Sequence, residues 1–228
     1  MKEAVLIYSG GLDSTSALYK FRENIKLAIS FNYGSKHNNE EIKYAEYNCK
    51  ELGIPHKVID LKAPFTAFKS SLLGAGDIPH GHYAEDNMAS TVVPFRNGIM
   101  LSIAAGIAES NNLSTVMLAS HLGDNAQYPD CTRDFNKAMN EAIVSGTGNK
   151  VELYAPFAGL TKDEIALIGV KNGVKPELTY SCYEGDKIHC GKCGTCVERV
   201  WALRNLDDKT EYKDKEYAIK ILKESGEW

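Results

Sequence analysis

Apolar residues run without interruption through Ala4-Val5-Leu6-Ile7-Tyr8 and stop at Ser9-Gly10-Gly11. A continuous run of this length, closed by glycine, is the pattern of a strand buried on both faces of a parallel sheet. A helix is expected from about Ser14. A second run, Leu27 to Phe31, ends at Asn32-Tyr33-Gly34, after which Ile42, Ala45, Cys49 and Leu52 recur at helical spacing before the stop signal Gly53. Residues 56–61 read as a third strand. Strands alternating with helices at these lengths predict an α/β fold built on a doubly wound sheet.

Residues 62–95 break the rhythm with Pro64, Gly74, Gly76, Pro79 and Gly81, and are expected to form an insertion or mobile flap over the sheet edge. The alternation then resumes. It predicts a helix over Asn97–Glu109, a strand over Thr115–Ser120, a helix over Thr132–Ile143 and a fifth strand over Val151–Ala155. Thr161 with Glu164 three residues later forms a capping box, opening a helix that Gly173 ends. The expectation is a mostly parallel five-stranded sheet in residues 1–175, with a small C-terminal segment over 176–228. That segment holds a cysteine cluster, a charged helix from Glu198 and a Lys-, Glu- and Tyr-rich tail.

The charge balance narrows the function. A formal charge of −4 and a pI near 5.9 argue against a stable nucleic-acid partner held on a broad basic face, so an anionic ligand must be met by local groups. The apolar run at Ala4–Tyr8 is too short for a signal peptide, and no stretch is expected to reach membrane-spanning length. The expected location is cytoplasmic, where thiols stay reduced.

The first candidate chemistry is the loop Ser9-Gly10-Gly11-Leu12-Asp13-Ser14. A glycine pair between a buried strand and a helix start gathers free N–H groups and the positive end of the helix dipole at one point, which suits a phosphate. Ser9 and Ser14 add hydroxyl donors, while Asp13 could cap the helix or hold magnesium. The loop is neither a G-x-x-x-x-G-K-[ST] nor a G-x-G-x-x-G motif.

Four of the six cysteines form Cys182-x7-Cys190-x2-Cys193-x2-Cys196. They supply a complete tetrahedral zinc set with no open position, and therefore a structural role, with one Zn2+ per chain. His189 is read as a neighbour of this set. An iron–sulfur cluster is the competing reading, since Cys-x2-Cys-x2-Cys also opens the bacterial ferredoxin run, although the x3-Cys-Pro continuation is missing. Cys49 is read as core and Cys131 as a small packed residue.

In an open parallel sheet, ligands bind beyond the carboxyl ends of the strands where strand order reverses. That rule collects the phosphate loop, Asn32-Tyr33, Ser120-His121, Asp124 and Lys162. Lys162 could meet an anionic ligand or stand exposed. Arg96 could bind a carboxylate, a phosphate or solvent.

The loop resembles that of the ATP pyrophosphatases, and the order of motifs narrows the likeness. Ser9–Ser14 is followed by Phe31-Asn32-Tyr33-Gly34 with His37 and Glu40, Val93-Pro94-Phe95-Arg96-Asn97, Tyr128-Pro129-Asp130-Cys131-x-Arg133-x2-Phe135, Leu160-Thr161-Lys162-x-Glu164-Ile165 and Tyr180-Ser181-Cys182-Tyr183. Over nearly the whole chain this resembles the 7-cyano-7-deazaguanine synthase family of queuosine biosynthesis. Ser35-Lys36 departs from the family, which often has Gln after Tyr-Gly.

The resemblance implies an adenine nucleotide alpha hydrolase-like fold and a C–N ligase that takes 7-carboxy-7-deazaguanine, ammonia and ATP with Mg2+. A carboxylate is adenylated and displaced by ammonia, and the amide is adenylated in turn to leave the nitrile. It implies an ATP site over Tyr8, Ser9, Gly10, Gly11, Leu12, Asp13, Ser14, Thr15, Ser16, Ala17 and Leu18, joined by Asn32 and Tyr33. Asp13, Lys162 and Arg96 would be catalytic, with Lys162 at the leaving pyrophosphate, and Arg96, Asp130, Arg133 and His121 would bind substrate. Asp130 could read the ring's donor edge or act as a turn-former or cap. A homodimer is expected. A tRNA-thiolating ATP pyrophosphatase and a non-catalytic nucleotide sensor are the alternatives.

Overall fold

A computed structural model describes residues 2–83, 86–126, 128–206 and 208–228. β1 (Ala4–Ile7) lies at the centre of a five-stranded sheet ordered β3-β2-β1-β4-β5, with β2 at Ile25–Asn32, β3 at His56–Asp60, β4 at Thr115–Met117 and β5 at Glu152–Tyr154. Every pair in it is parallel, where the sequence had suggested only a mostly parallel sheet. The chain steps outward from β1 to β3 and then returns to the other side of β1 at β4. Strand order therefore reverses beside β1, and a crevice is expected there.

The apolar run of β1 is continuous because both faces are covered. Val5 joins Ile29, Leu101, Ala104 and Val116 on one face, while Ala4, Leu6 and Tyr8 join Ala17, Leu18, Ala45, Cys49 and Ile165 on the other. Helices α1 (Leu12–Lys20), α2 (Asn38–Leu52) and α6 (Lys162–Lys171) supply the second face; α4 (Arg96–Ser110) and α5 (Arg133–Gly146) cover the first. α1 begins two residues before the expected Ser14, because Gly11 already serves as its N-cap. The α6 capping box is formed, with Thr161 N donating to Glu164 Oε2 at 2.9 Å.

Residues 62–95 carry α3 (Lys62–Phe65) and two short 3-10 turns; Ala84 and Glu85 lie outside the described residues. The segment, expected as a flap over the sheet edge, packs Phe65 and Leu72 in one cluster with Leu27, Ile29 and Phe31 of β2, and further along runs against the cysteine cluster. His80 pairs with Cys193 in an antiparallel bridge, and Gly81 N donates to Lys192 O at 3.1 Å.

The C-terminal segment is more helical than its composition suggested. α7 (Gly194–Ala202) starts four residues before the expected Glu198, since Cys193 O already accepts from Val197 N at 3.0 Å. α8 (Lys215–Glu224), within the tail, packs Ala218 and Leu222 on Val197 and Val200. By length and composition Met88–Ser110 is apolar enough to cross a membrane, contrary to the sequence expectation, with a mean hydropathy of 1.3. Half of that window is buried inside the protein, where α4 packs Leu101, Ala104 and Ala108 against β1 and β4.

Candidate active site

The carboxyl ends of β1, β2 and β4 open into one cavity lined by the phosphate loop, Tyr33, Glu41, Arg96, Asp124, Lys162 and Tyr183, among others. Gly10 has φ +88°, and a Cβ there would strike the Glu41 carbonyl oxygen and come within 2.9 Å of Ala45 N. The glycine is thus required both by its torsion and by the close approach of α2. Gly11 caps α1 without a side-chain bond, and the first intrahelical bond is Thr15 N to Gly11 O at 2.9 Å. The N–H groups of Leu12, Asp13 and Ser14 precede that bond, so they remain for a ligand. Ser9 Oγ accepts from Gly11 N (3.1 Å) and pairs with Ser14 Oγ (3.0 Å), placing two hydroxyls at the same mouth.

Beside the loop lies a charged cluster drawn from four parts of the chain. Lys162 Nζ donates to Asp13 Oδ2 at 3.0 Å and stands 2.9 Å from Glu198 Oε2, close as an ion pair though off the direction of a hydrogen bond. His121 Nδ1 accepts from Gly123 N at 3.0 Å, and its Nε2 faces Asp124 (3.4 Å), Lys162 Nζ (3.5 Å) and Asp13 (3.8 Å). Tyr83, from the 62–95 segment, donates to Asp124 Oδ1 at 3.1 Å. Burial alone would lower the Lys162 pKa, but the carboxylates of Asp13 and Glu198 raise it above the usual lysine value and keep the ammonium charged. Burial pushes Asp13 up, but the Lys162 charge overrides this and holds it below the ordinary carboxylate range. Asp13 Oδ1 is buried with no hydrogen-bond partner among the described residues. An unpartnered, ionised oxygen at a phosphate loop suits a divalent cation.

The far end of the cavity is built around Arg96. Its Nη1 donates to the Tyr33 hydroxyl at 3.1 Å, and no carboxylate among the described residues pairs with it. Asn38 Oδ1 accepts from Tyr33 N (3.0 Å) and Ser35 N (3.1 Å), fixing the turn after β2. Glu41, one helical turn from His37, has its Oε2 3.7 Å from His37 Nε2 and 3.4 Å from the Asn38 amide. Burial pushes its carboxyl up to about 8, against the downward pull of Arg96. Burial, helped by Arg96, takes His37 down to about 3, so that imidazole is neutral.

Of the residues singled out from sequence, Tyr8, Ser9, Gly11, Leu12, Asp13, Ser14, Tyr33, Arg96 and Lys162 line this cavity. Others stand away from it. Thr15 bonds the Tyr8 hydroxyl (3.1 Å), Ser16 bonds Leu12 O (2.8 Å), and Ala17 and Leu18 are core, because α1 turns these positions inward. Asn32 instead accepts from Gly34 N at 3.3 Å, and His121 sits behind Lys162. Asp130 Oδ2 accepts from Asn97 N at 2.8 Å in the first turn of α4, the contact expected of a cap. Arg133 turns outward to Ala158 O (3.4 Å). Glu41, Glu198 and Tyr83 had not been selected. Glu41 was legible, since position 41 falls on the buried stripe continued by Ala45 and Asn48.

The four Sγ atoms of Cys182, Cys190, Cys193 and Cys196 are buried within 4.8 Å of one another, with no disulfide. Cys190 and Cys196 sulfurs are 3.8 Å apart, the edge of a tetrahedron whose metal–sulfur bonds are about 2.3 Å. Cys190 Sγ accepts from Lys192 N and Cys193 N, both at 3.2 Å, the support that orients metal-binding thiolates. His189 Nε2 is occupied by Ser181 N at 3.1 Å and makes no fifth ligand.

A family model described as queuosine biosynthesis protein QueC matches residues 3–207. A 7-cyano-7-deazaguanine synthase of Porphyromonas gingivalis is 49% identical over 215 residues, covering 93% of this chain and 98% of that protein. One from Desulfotalea psychrophila is 45% identical over 217 residues (93% and 99%), and one from Caldicellulosiruptor saccharolyticus 40% identical over 225 residues (96% and 96%). The structure of NMN synthetase from Francisella tularensis aligns over 99% of this chain and 77% of that one, at 14% identity and a TM-score of 0.48. The chain belongs to the QueC family of queuosine biosynthesis, whose members named here are 7-cyano-7-deazaguanine synthases.

Proposed function

We propose that the chain converts 7-carboxy-7-deazaguanine and ammonia to 7-cyano-7-deazaguanine, with two molecules of ATP split to AMP and pyrophosphate. The observation that carries this reading is one cavity with two unlike ends: a phosphate loop backed by Lys162, and a guanidinium, Arg96, with no carboxylate partner of its own. The first end suits a triphosphate and the second a carboxylate.

A carboxylate oxygen attacks the α-phosphorus, forming the acyl adenylate as pyrophosphate leaves. Ammonia adds to the acyl carbon and AMP departs with that oxygen, leaving the amide. The amide oxygen then attacks a second ATP; loss of AMP and two protons from the resulting imidate gives the nitrile. In this scheme the loop N–H groups hold the phosphates and Lys162 meets the charge that builds on pyrophosphate. Magnesium arriving with ATP would be held by Asp13 and would neutralise phosphate charge. Arg96 holds the substrate carboxylate. Glu41, in place of Asp130, accepts from the ring N–H and exocyclic amine; two such donors offset the burial that keeps its carboxyl protonated.

The four cysteines would hold a structural zinc ion. The thiolation alternative finds little support at Cys131, whose thiol burial keeps protonated and which Asn97 Nδ2 contacts at 3.2 Å. The test is incubation with magnesium-ATP, ammonium and the carboxylic acid, following product mass and nucleotide. Nitrile with AMP sustains the reading; AMP formed only with tRNA, or nucleotide bound without any AMP, points to the alternatives. Glu41→Gln should raise KM for the acid about 10-fold or more while leaving KM for ATP nearly unchanged. Equal effects on both constants would remove Glu41 from ring recognition.

A further inference from the structure

The carboxylate of Glu198 is delivered to the phosphate site by the cysteine segment. It follows Cys196 by two residues on α7, and its side chain is only 11% exposed although the protein is otherwise rich in surface glutamates. The helix is held in place independently of Glu198. The next residue, Arg199, is fully buried and donates to Thr179 Oγ1 (2.9 Å), Ser181 Oγ (3.0 Å) and Thr210 Oγ1 (2.9 Å). Ala202 and Leu203 pack against Ala166 of α6, the helix that carries Lys162.

Lys162 is thus gripped from two sides, by Asp13 at 3.0 Å and by Glu198 at 2.9 Å. The two grips are not equivalent during turnover. Asp13 lies on the phosphate loop and would re-aim toward the cation that accompanies ATP, leaving Glu198 as the carboxylate in contact with Lys162. Glu198, on a helix fixed at its other face, keeps its position. We propose that Glu198 is a positioning residue, which holds the Lys162 ammonium at the phosphate site once Asp13 is engaged elsewhere. The proposal rests on the ATP-splitting reading for its kinetic consequence, and on geometry alone for the grip itself.

Glu198→Gln keeps the shape of the side chain and removes its charge, without touching a cysteine. Its expected effect is a fall in kcat for AMP formation of about 10- to 100-fold, with KM for magnesium-ATP within about threefold. Bound metal and melting temperature should stay near wild type, and Glu198→Asp should recover part of kcat. An unchanged kcat, or a loss of activity that tracks loss of metal, would overturn the proposal. A second measurement is independent of turnover. In 15N-lysine-labelled protein, an ammonium clamped between two buried carboxylates exchanges slowly and gives a distinct signal, assigned by its loss in Lys162→Arg. The signal should vanish in the folded Gln variant and persist in the Asp variant. Its persistence in Gln would show that Glu198 does not hold Lys162. Should wild type release no AMP, the ligase reading fails while this signal still decides the grip.

Discussion

Two distant regions place a carboxylate on the same lysine, and they do so by different means. Asp13 is positioned by a strand, a glycine pair and a helix start that follow one another within ten residues, so its place is set by local backbone geometry. Glu198 is positioned by a folded cysteine cluster whose members are spread over fifteen residues and which also pins the 78–83 strap that brings Tyr83 to Asp124. The phosphate end of the site is therefore a property of the sheet, whereas its flank depends on a separate metal-type knot. One consequence is that damage to the knot should reach the site.

Cys193→Ser tests that dependence with the largest expected effect. Loss of the bound metal should lower stability by about 4 kcal/mol or more, a drop of roughly 10 °C in melting temperature for a chain of this length. Metal analysis beside calorimetry checks it; an unchanged melting temperature would separate the knot from the fold.

Lys162→Ala breaks the comparison at its meeting point. It strands the buried carboxylates of Asp13 and Glu198, which should cost about 3–5 kcal/mol in urea unfolding. A loss under about 1 kcal/mol would mean that water already screens the pair.

The far end supplies a pH signature. Glu41 is pushed up to about 8 in the folded state, so the native protein holds a proton that the unfolded chain releases near its ordinary value, and stability falls as pH rises between those two points. His37, depressed to about 3, has the opposite slope, which fades above about pH 6.5, the midpoint of the unfolded imidazole. Among the described residues Glu41 is faced by His37, Asn38, Tyr33 and Arg96, and of these only His37 titrates below pH 8. Between about pH 6.5 and 8 wild type should lose about 2 kcal/mol more than Glu41→Gln, a comparison in which the residual His37 contribution cancels. Parallel curves for the two proteins would contradict the buried carboxyl.

The smallest effect is expected from Tyr83→Phe. It removes one bond to Asp124 and should lower stability by about 1 kcal/mol, with phosphate-loop binding of nucleotide unchanged.

What the sequence made legible follows the same division. The five strands, the phosphate loop and the α6 capping box are written in contiguous residues, and the structure forms them with shifts of only a few positions. Lys162 could be placed because the Thr161–Glu164 capping box puts it at the start of the helix that follows β5. Asp130 could not be decided, since Pro-Asp is as much a cap as a ligand, and its bond to Asn97 N is a contact across 33 residues. Glu198 was readable only as the start of a charged helix, because nothing local distinguishes a solvated glutamate from one aimed at a lysine brought in by another helix. Tyr83 and α8 were hidden for a related reason. One lies in a glycine-rich segment without periodicity, and in the other Tyr217, Ala218, Ile219, Ile221 and Leu222 are interspersed with Lys and Glu, only Ala218 and Leu222 being buried.

The most direct test of the central claim uses a substrate carboxylate carrying 18O on both oxygens. Two successive adenylations transfer each oxygen to a different nucleotide, so every nitrile formed should be matched by two AMP molecules, each with one 18O, and by unlabelled pyrophosphate. Label in pyrophosphate or water, ADP as the product, or a single AMP per nitrile would contradict the account.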